Sequence, residues 1–458
     1  RHDALRSGTH EASTRVRRAP TSTRAPRRIQ SIAVLPFENL SANASQEYYV
    51  AGMHDAIMGE LAQIDALRVA SRTSVAPHRA SGKTIPEIAR TLRVDAVVEG
   101  SVLSTGETVR VHVELIRATP REERVWGHTY DRAERDVLAL HSEVARAVAE
   151  EIRIELTPTD RSRLRETRII DPEAYRHYLT GNFHLGKNTE PGFRQALDHY
   201  DQAIAIDAQY APAYAGKAVA YLELGSWAST QPPSAVSAQA KTAALAALDC
   251  DPMLAEAHIA LARIKQLFDW DWAGADAEFQ RGIELSPKAM YALMAYANYE
   301  VAMGRFERSA AIGRRAAQLD PVYADAYFTI GLALYHMGRT GEALTEFEKA
   351  VELAPNDLSP VLELAQIYGE MGRREDAAGH AQRVEHALGG LGPPAWLARL
   401  GTAYALANRP ADARRILDQL ARREGYVPPT CPGVIHAALG DIDAALDLMD
   451  QAYDQQDV

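Results

Sequence analysis

A repeated pattern with a period of about 34 residues runs through the second half of this 458-residue chain. Small residues recur at intervals of 44, 35, 34 and 34 residues, at Ala203, Ala247, Gly282, Ala316 and Ala350. Five residues after each of the last four there is a proline: Pro252, Pro287, Pro321 and Pro355. Proline has no amide proton and cannot continue a helix. The period therefore predicts a stack of helical units, each of which buries its apolar face against its neighbours.

The clearest unit covers residues 324–357. Gly331 in its first helix and Ala343 in its second let the two helices approach closely, and Phe347 fills the space beside them. This pattern resembles the tetratricopeptide repeat (TPR), whose units are helical hairpins of about 34 residues. We predict a TPR superhelix of about eight hairpins over residues 171–458, in which five units are well formed.

Residues 31–156 have a different pattern, typical of a small α/β domain. Strands are predicted at 31–37, 67–70, 97–103, 108–116 and 124–130, and helices at 46–64, 85–92 and 137–156. In the strand at 108–116, apolar residues alternate with polar ones, as they do when one face of a sheet is buried. The predicted fold class is a small α/β domain followed by an all-α tetratricopeptide-repeat superhelix, an α-solenoid. We expect the two regions to fold independently.

Three segments of the first region carry a resemblance to a known family. Residues 31–41 read SIAVLPFENLS, residues 94–101 read VDAVVEGS, and residues 126–131 read WGHTYD. These segments resemble the TolB amino-terminal-like domain, also called FlgO-like, which in bacterial signalling proteins often precedes tetratricopeptide repeats. The resemblance implies a role in sensing or assembly beside a kinase, nucleotide cyclase or winged-helix effector. It brings no catalytic residues.

Charge is distributed unevenly along the chain. Residues 1–30 contain eight arginines and two acidic residues and are predicted to be a basic disordered linker, while 157–170 are a linker or a helix extension. Residues 171–458 contain 24 basic and 38 acidic residues, which argues against nucleic acid as a partner. Because no run of about 18 apolar residues occurs, membrane attachment requires a segment upstream of this chain. The compartment stays open between the bacterial cytoplasm and an extracytoplasmic site at the inner membrane.

The sequence contains no motif for catalysis. Phosphate-binding, dinucleotide-binding and kinase signatures are absent, and the two cysteines are far apart. His177, His184 and His199 could meet across the first hairpin, but a solvated helix face explains them better than a metal site. We therefore expect no enzyme activity, no cofactor and no metal.

Residues of the first helix of each hairpin are expected to face the concave side of the superhelix and to bind a protein or peptide. The predicted groove residues are Ile259, Arg263, Gln266, Tyr291, Met294, Asn298, Phe328, Tyr335 and Gln366. Only Arg263 and Asn298 suit a clamp for a terminal carboxylate. The groove thus favours a helix or an extended apolar peptide.

The sequence favours a non-enzymatic interaction module, the sensory or scaffolding part of a bacterial signalling protein with its effector outside this chain. The alternative is a structural protein that polymerises through its repeats. A homo-oligomer is compatible with both interpretations.

Overall fold

The computed structural model describes residues 29–41, 47–78, 81–105, 108–119, 121–133, 136–152, 154, 156–157, 170–226, 231–390 and 392–456. Nearly all of the predicted basic linker and most of the 157–170 segment lie outside these residues, and their predictions stay untested. No helix within the described part is long and apolar enough to cross a membrane.

The first described region is a mixed sheet covered by helices. Its strands are β1 (Ser31–Val34), β2 (Glu38–Asn39), β3 (Arg68–Val69), β4 (Ala96–Ser104), β5 (Thr108–Arg117) and β6 (Glu123–Ala133). Their order is β3-β1-β4-β5-β6, with β2 beside β4. Strand β1 is parallel to β3 and β4, whereas β4, β5 and β6 form an antiparallel meander. The helices are α1 (Glu47–Ala62), α2 (Arg72–Val75), α3 (Ile85–Leu92) and α4 (Val137–Glu151).

Alternation along β5 sets the orientation of this sheet. Val109, Val111, Val113 and Leu115 are fully buried in a cluster that includes residues of α1 and α4. Arg110 and His112 lie on the opposite face, where they pair with Asp131 and Glu114. The predicted strands at 97–103 and 108–116 are confirmed as β4 and β5, which pair as an antiparallel hairpin.

Sixteen helices follow in the described residues from 172 to 454. They are α5 (Pro172–Leu185), α6 (Glu190–Ile206), α7 (Ala211–Gly225), α8 (Pro233–Cys250), α9 (Ala255–Ile264), α10 (Trp272–Leu285), α11 (Met290–Ala302), α12 (Phe306–Leu319), α13 (Ala324–His336), α14 (Thr340–Leu353), α15 (Ser359–Glu370), α16 (Arg374–Leu388), α17 (Pro394–Leu406), α18 (Pro410–Ala421), α19 (Thr430–Leu439) and α20 (Ile442–Asp454). They pack as eight successive hairpins, α5–α6 to α19–α20. The predicted fold class, a small α/β domain followed by an α-solenoid, is confirmed.

Small residues at the helix crossings make this packing close. A Cβ atom at Gly331 of α13 would lie 3.0 Å from the ring of Phe347 in α14. Gly181 of α5 and Gly216 of α7 both pack against the ring of Tyr200 in α6, which is fully buried. A larger side chain at these positions would push the helices apart.

The two regions share one hydrophobic core. Tyr175 and Leu179 of the first solenoid helix are buried in the same cluster as Tyr49, Met53 and Ile57 of α1. This continuous core does not fit the expectation that the regions fold independently. The cause is the apolar surface of α5, which is covered by α1 and not by a preceding hairpin.

Candidate partner-binding site

The α/β domain is held against the solenoid by two loops that connect successive hairpins. In the α10–α11 loop, the Nζ of Lys288 donates hydrogen bonds to the carbonyl oxygens of Ile64, Asp65 and Leu67, at 2.8, 2.9 and 3.2 Å. These carbonyls follow the end of α1 and precede β3. A single ammonium group therefore satisfies three backbone acceptors of the other region.

The second loop uses a carboxylate. Asp320, in the α12–α13 loop, accepts hydrogen bonds from the backbone N–H of Ser71 and from the hydroxyl of Ser74, each at 2.8 Å. Asp320 is 1% exposed, and Val322 beside it packs on the cluster that contains Ala70. Together the two loops fix the segment between α1 and α2 on the solenoid.

A cavity of about 990 Å³ remains between the docked domain and the first helices of the hairpins. Its lining from the α/β domain includes Asp55, Met58 and Arg72. Its lining from the solenoid includes Asn182, Glu223, Arg263, Gln266, Tyr291, Met294 and Asn298. The cavity is thus bounded by both regions and combines apolar, amide and charged groups.

Arg263 and Glu223 form an ion pair in the cavity wall. The Nη1 of Arg263 donates to Glu223 Oε1 and to the hydroxyl of Tyr291, each at 2.7 Å. The Arg263 and Glu223 side chains are 18% and 15% exposed. Burial opposes the charge of the guanidinium, but Tyr291 and Glu223 outweigh it and raise the pKa of Arg263 above its usual range. Desolvation of its hydroxyl also raises the pKa of Tyr291, although 47% of the residue is exposed.

Five of the nine predicted groove residues line this cavity: Arg263, Gln266, Tyr291, Met294 and Asn298. The remaining N–H groups of Arg263 and the amides of Gln266 and Asn298 have no hydrogen-bond partner within the described part of the chain. Polar groups in a cavity wall that lack protein partners can bind carbonyl or carboxylate groups of a ligand.

Four predicted groove residues lie elsewhere. Ile259 is 1% exposed and packs against Gly282 of α10, so including it in the groove was wrong. Because Gly282 has no side chain, the Ile259 side chain packs between the two helices of the hairpin and does not face the groove. Phe328, Tyr335 and Gln366 do not line the cavity but lie on later hairpins, where Phe328 contacts the ring of Phe347 at 5.7 Å. The hydroxyl of Tyr335 donates to Glu370.

Glu223 is a residue of the cavity wall that the sequence interpretation missed. The insertion at 226–233 follows it directly and lengthens the first repeat interval to 44 residues. Because of this insertion, the 34-residue period does not show which position of the next repeat corresponds to Glu223. The pairing of Glu223 with Arg263 therefore could not be predicted from the spacing of the repeats.

The three predicted histidines do meet across the first hairpin. The Nδ1 atoms of His177 and His199 lie 3.1 Å apart, and the ring of His184 stacks on that of His199 at 5.5 Å. In this hydrogen bond one Nδ1 donates and the other accepts, so at least one of the two imidazoles must be neutral. Burial lowers the pKa of both His177 and His199, which favours the neutral form. Within the described ranges, no group of three or more His, Cys, Asp or Glu side chains is placed to hold a metal ion.

Comparisons with known families support the repeats and match the first domain to a model other than the expected one. Residues 324–357 match the tetratricopeptide repeat model, the same unit that is clearest in the sequence. Residues 28–131 match the model of the second domain of HilA/YgeH-like transcriptional regulators. This match does not support the TolB amino-terminal-like assignment, because the model that matches these residues describes a different domain.

One curated relative is 29% identical over 234 residues, a protein of Rhizobium meliloti (strain 1021) named "Putative adenylate cyclase 3". The match covers 51% of this chain and 39% of the relative, so the chain spans about two fifths of that protein's length.

Several solved structures are similar to this chain at low identity. A human IFIT1 dimer with m7Gppp-AAAA is 15% identical, with 70% of this chain and 82% of that chain covered and a TM-score of 0.47. PilF of Pseudomonas aeruginosa is 22% identical, with 53% and 97% covered and a TM-score of 0.37. YrrB, described as a TPR protein with an unusual peptide-binding site, is 20% identical, with 41% and 89% covered and a TM-score of 0.29.

Proposed function

We propose that this chain is a non-enzymatic protein-interaction module, the sensory or scaffolding part of a bacterial signalling or regulatory protein. The tetratricopeptide match supports a role in binding proteins. The matches to a transcriptional-regulator domain and to a putative adenylate cyclase support a regulatory context. Because the chain spans only 39% of the cyclase relative, the effector activity is assigned to residues outside it.

The cavity between the two regions is the observation that carries this proposal. Its volume of about 990 Å³ is at the upper end of ligand-pocket sizes and can hold several side chains of a partner. Met58, Met290 and Met294 form adaptable apolar wall, while Arg263 and Asn298 offer free donors. These groups suit an extended protein segment that carries apolar side chains and exposes backbone carbonyls.

The test is capture of partners by the whole chain with and without the cavity side chains. The double substitution Tyr291→Ala with Asn298→Ala should weaken binding by about 2 kcal/mol or more, roughly 30-fold in Kd, if both residues are hot spots. A captured partner is then titrated against both proteins by calorimetry. Melting temperatures of the two proteins show whether the fold is intact.

A matched control lies on the outer side of the third hairpin. Arg281 and Glu284 of α10 form an exposed pair with each other, and their double alanine variant should bind the partner normally. Retained binding by the cavity variant with loss in the α10 variant would overturn the proposal. Capture of only the chain itself would favour the self-assembling alternative.

A further inference from the structure

The last described helix, α20, presents an apolar face to solvent. Ile442, Leu446 and Tyr453 are 55%, 59% and 70% exposed. Their spacing of four and seven residues places them on one side of the helix. The ring of Tyr453 also lies 5.6 Å from that of Trp270 in the third hairpin, but most of its surface stays open.

The corresponding face of α14, in an interior hairpin, shows which kind of element packs on such a surface. Ala343, Phe347 and Ala350 of α14 correspond to Ala445, Met449 and Ala452 of α20, which aligns Leu446 with Leu344, Asp450 with Glu348 and Tyr453 with Val351. In the interior hairpin, Leu344 and Val351 pack in a cluster that includes Leu364 and Tyr368 of α15. The Tyr368 hydroxyl also donates to Glu348 at 3.4 Å. The exposed face of α20 is thus the position at which the next hairpin would place its first helix.

The acidic residues around this face favour a covering helix that carries positive charge beside its apolar side chains. Residues 424–458 contain seven acidic residues and no lysine or arginine. Four of the acidic residues are exposed on α20 itself, at Asp443, Asp447, Asp450 and Asp454. A covering helix with lysine or arginine beside its apolar stripe complements them, whereas an acidic helix would be repelled.

A second copy of the chain fits this face poorly. The opposite end of the solenoid is closed, because Tyr175 and Leu179 of α5 are buried against α1, so head-to-tail stacking has no open acceptor. Tail-to-tail pairing would bring the aspartates of two α20 helices together, which is unfavourable for like charges.

We propose that the α20 face is a second interaction surface, which binds a basic amphipathic helix of a partner protein in the position of a ninth hairpin. No residue of α20 lines the cavity between the two regions. The partner helix would cover Leu446 and Tyr453 with apolar side chains and place cations beside Asp447 and Asp450.

The experiment uses probes derived from α15, the helix that covers the same face in the interior of the solenoid. A helix-stapled peptide with the sequence of residues 359–370 is made with lysine at the position of Tyr368, the residue that reaches Glu348, the counterpart of Asp450. Its partner peptide has glutamate at the same position. Binding of both to the whole chain is measured by fluorescence anisotropy, and we expect the lysine peptide to bind with about tenfold lower Kd or better.

Leu446→Ser with Tyr453→Ser should weaken binding of the lysine peptide by about tenfold or more. Leu245→Ser, at a leucine 46% exposed on α8, is the control and should leave binding unchanged. The proposal is overturned if the lysine peptide shows no saturable binding, if both peptides bind equally, or if the α20 variant binds as well as the control. Sedimentation of the unliganded chain tests the other occupant: a dimer that dissociates on Leu446→Ser would mean that a second copy covers this face, and would also overturn it.

Discussion

The carboxylate of Asp320 accepts a hydrogen bond from the backbone N–H of Ser71 at 2.8 Å, although 249 residues separate the two in sequence. Lys288 makes the corresponding contact one hairpin earlier, on the carbonyl oxygens that follow α1. Lys288 and Val322 are 34 residues apart, one repeat period, so the same position of two successive loops contacts the α/β domain. The regular spacing of the hairpins thereby places two loops one repeat apart, and both contact the non-repetitive α/β domain.

Removal of the Asp320 carboxylate should loosen this docking. Asp320→Ala leaves the Ser71 N–H and the Ser74 hydroxyl without their acceptor, at a cost of roughly 1–3 kcal/mol. We expect faster amide hydrogen exchange over residues 64–75, measured by mass spectrometry on the whole chain.

Asp251 is the matched control for this substitution. It precedes Pro252 as Asp320 precedes Pro321, and it accepts from the Met253 N–H at 2.9 Å as Asp320 accepts from Val322. Asp251→Ala should lose the local turn without any change at residues 64–75. Equal exchange there in both variants would mean that Asp320 does not hold the domain.

Close packing within a hairpin gives a second prediction. Gly331→Leu places a side chain where even a Cβ would lie 3.0 Å from Phe347, so strain of about 1–3 kcal/mol or more is expected. Thermal melting should show a lower midpoint. Gly341→Leu, in the same hairpin but with nothing within 4 Å of its Cβ position, should not lower it. Equal melting of the two variants would contradict the packing at Gly331.

The repeats could be predicted from sequence because each hairpin is a local structure. Gly331, Ala343 and Phe347 recur in type at a fixed period, and the residues that they contact are less than one repeat away. The docking of the α/β domain on the solenoid could not be predicted, because the partners of Lys288 and Asp320 are more than 200 residues distant. In sequence, both are ordinary residues of turns between helices, and Asp251 has the same local pattern without the contact.

Acid should destabilise the junction between the two regions through His141. This side chain of α4 is 3% exposed, lies 6.1 Å from the ring of Tyr175, and burial lowers its pKa to about 4. The unfolded chain therefore binds a proton near pH 6.5 that the folded chain does not bind until about pH 4, so stability falls as pH falls through this window. The loss attributable to His141 is roughly 2–3 kcal/mol at its lower end.

His141→Leu should flatten that part of the stability profile, measured by urea unfolding from pH 7 to pH 4.5. His128→Leu, at an exposed position on β6, is the control and should retain the wild-type slope. An unchanged slope in His141→Leu would assign the acid sensitivity to other groups.

The absence of enzyme activity is a prediction that purified protein can test directly. Incubated with ATP and a divalent cation, the whole chain should form neither ADP nor cyclic AMP if the proposed non-enzymatic role is correct. Chromatography of the nucleotides provides the measurement. Saturable turnover that scales with protein concentration and persists through a second purification step would contradict the proposed non-enzymatic role.

Removing one charge of the ion pair between Arg263 and Glu223 should lower the free energy of unfolding more than expected from the loss in the double variant. Arg263→Met leaves the Glu223 carboxylate, 15% exposed, without its cation, and Glu223→Gln leaves the guanidinium without its anion. Because an unpaired charge in a poorly solvated wall is costly, each single variant should lose about 1–3 kcal/mol of unfolding free energy. The double variant Glu223→Gln with Arg263→Met has no such charge, so it should lose less than the sum of the two by about 1 kcal/mol or more. Urea unfolding of the four proteins gives this coupling energy, and strictly additive losses would show that the pair is solvated and contributes little to the wall.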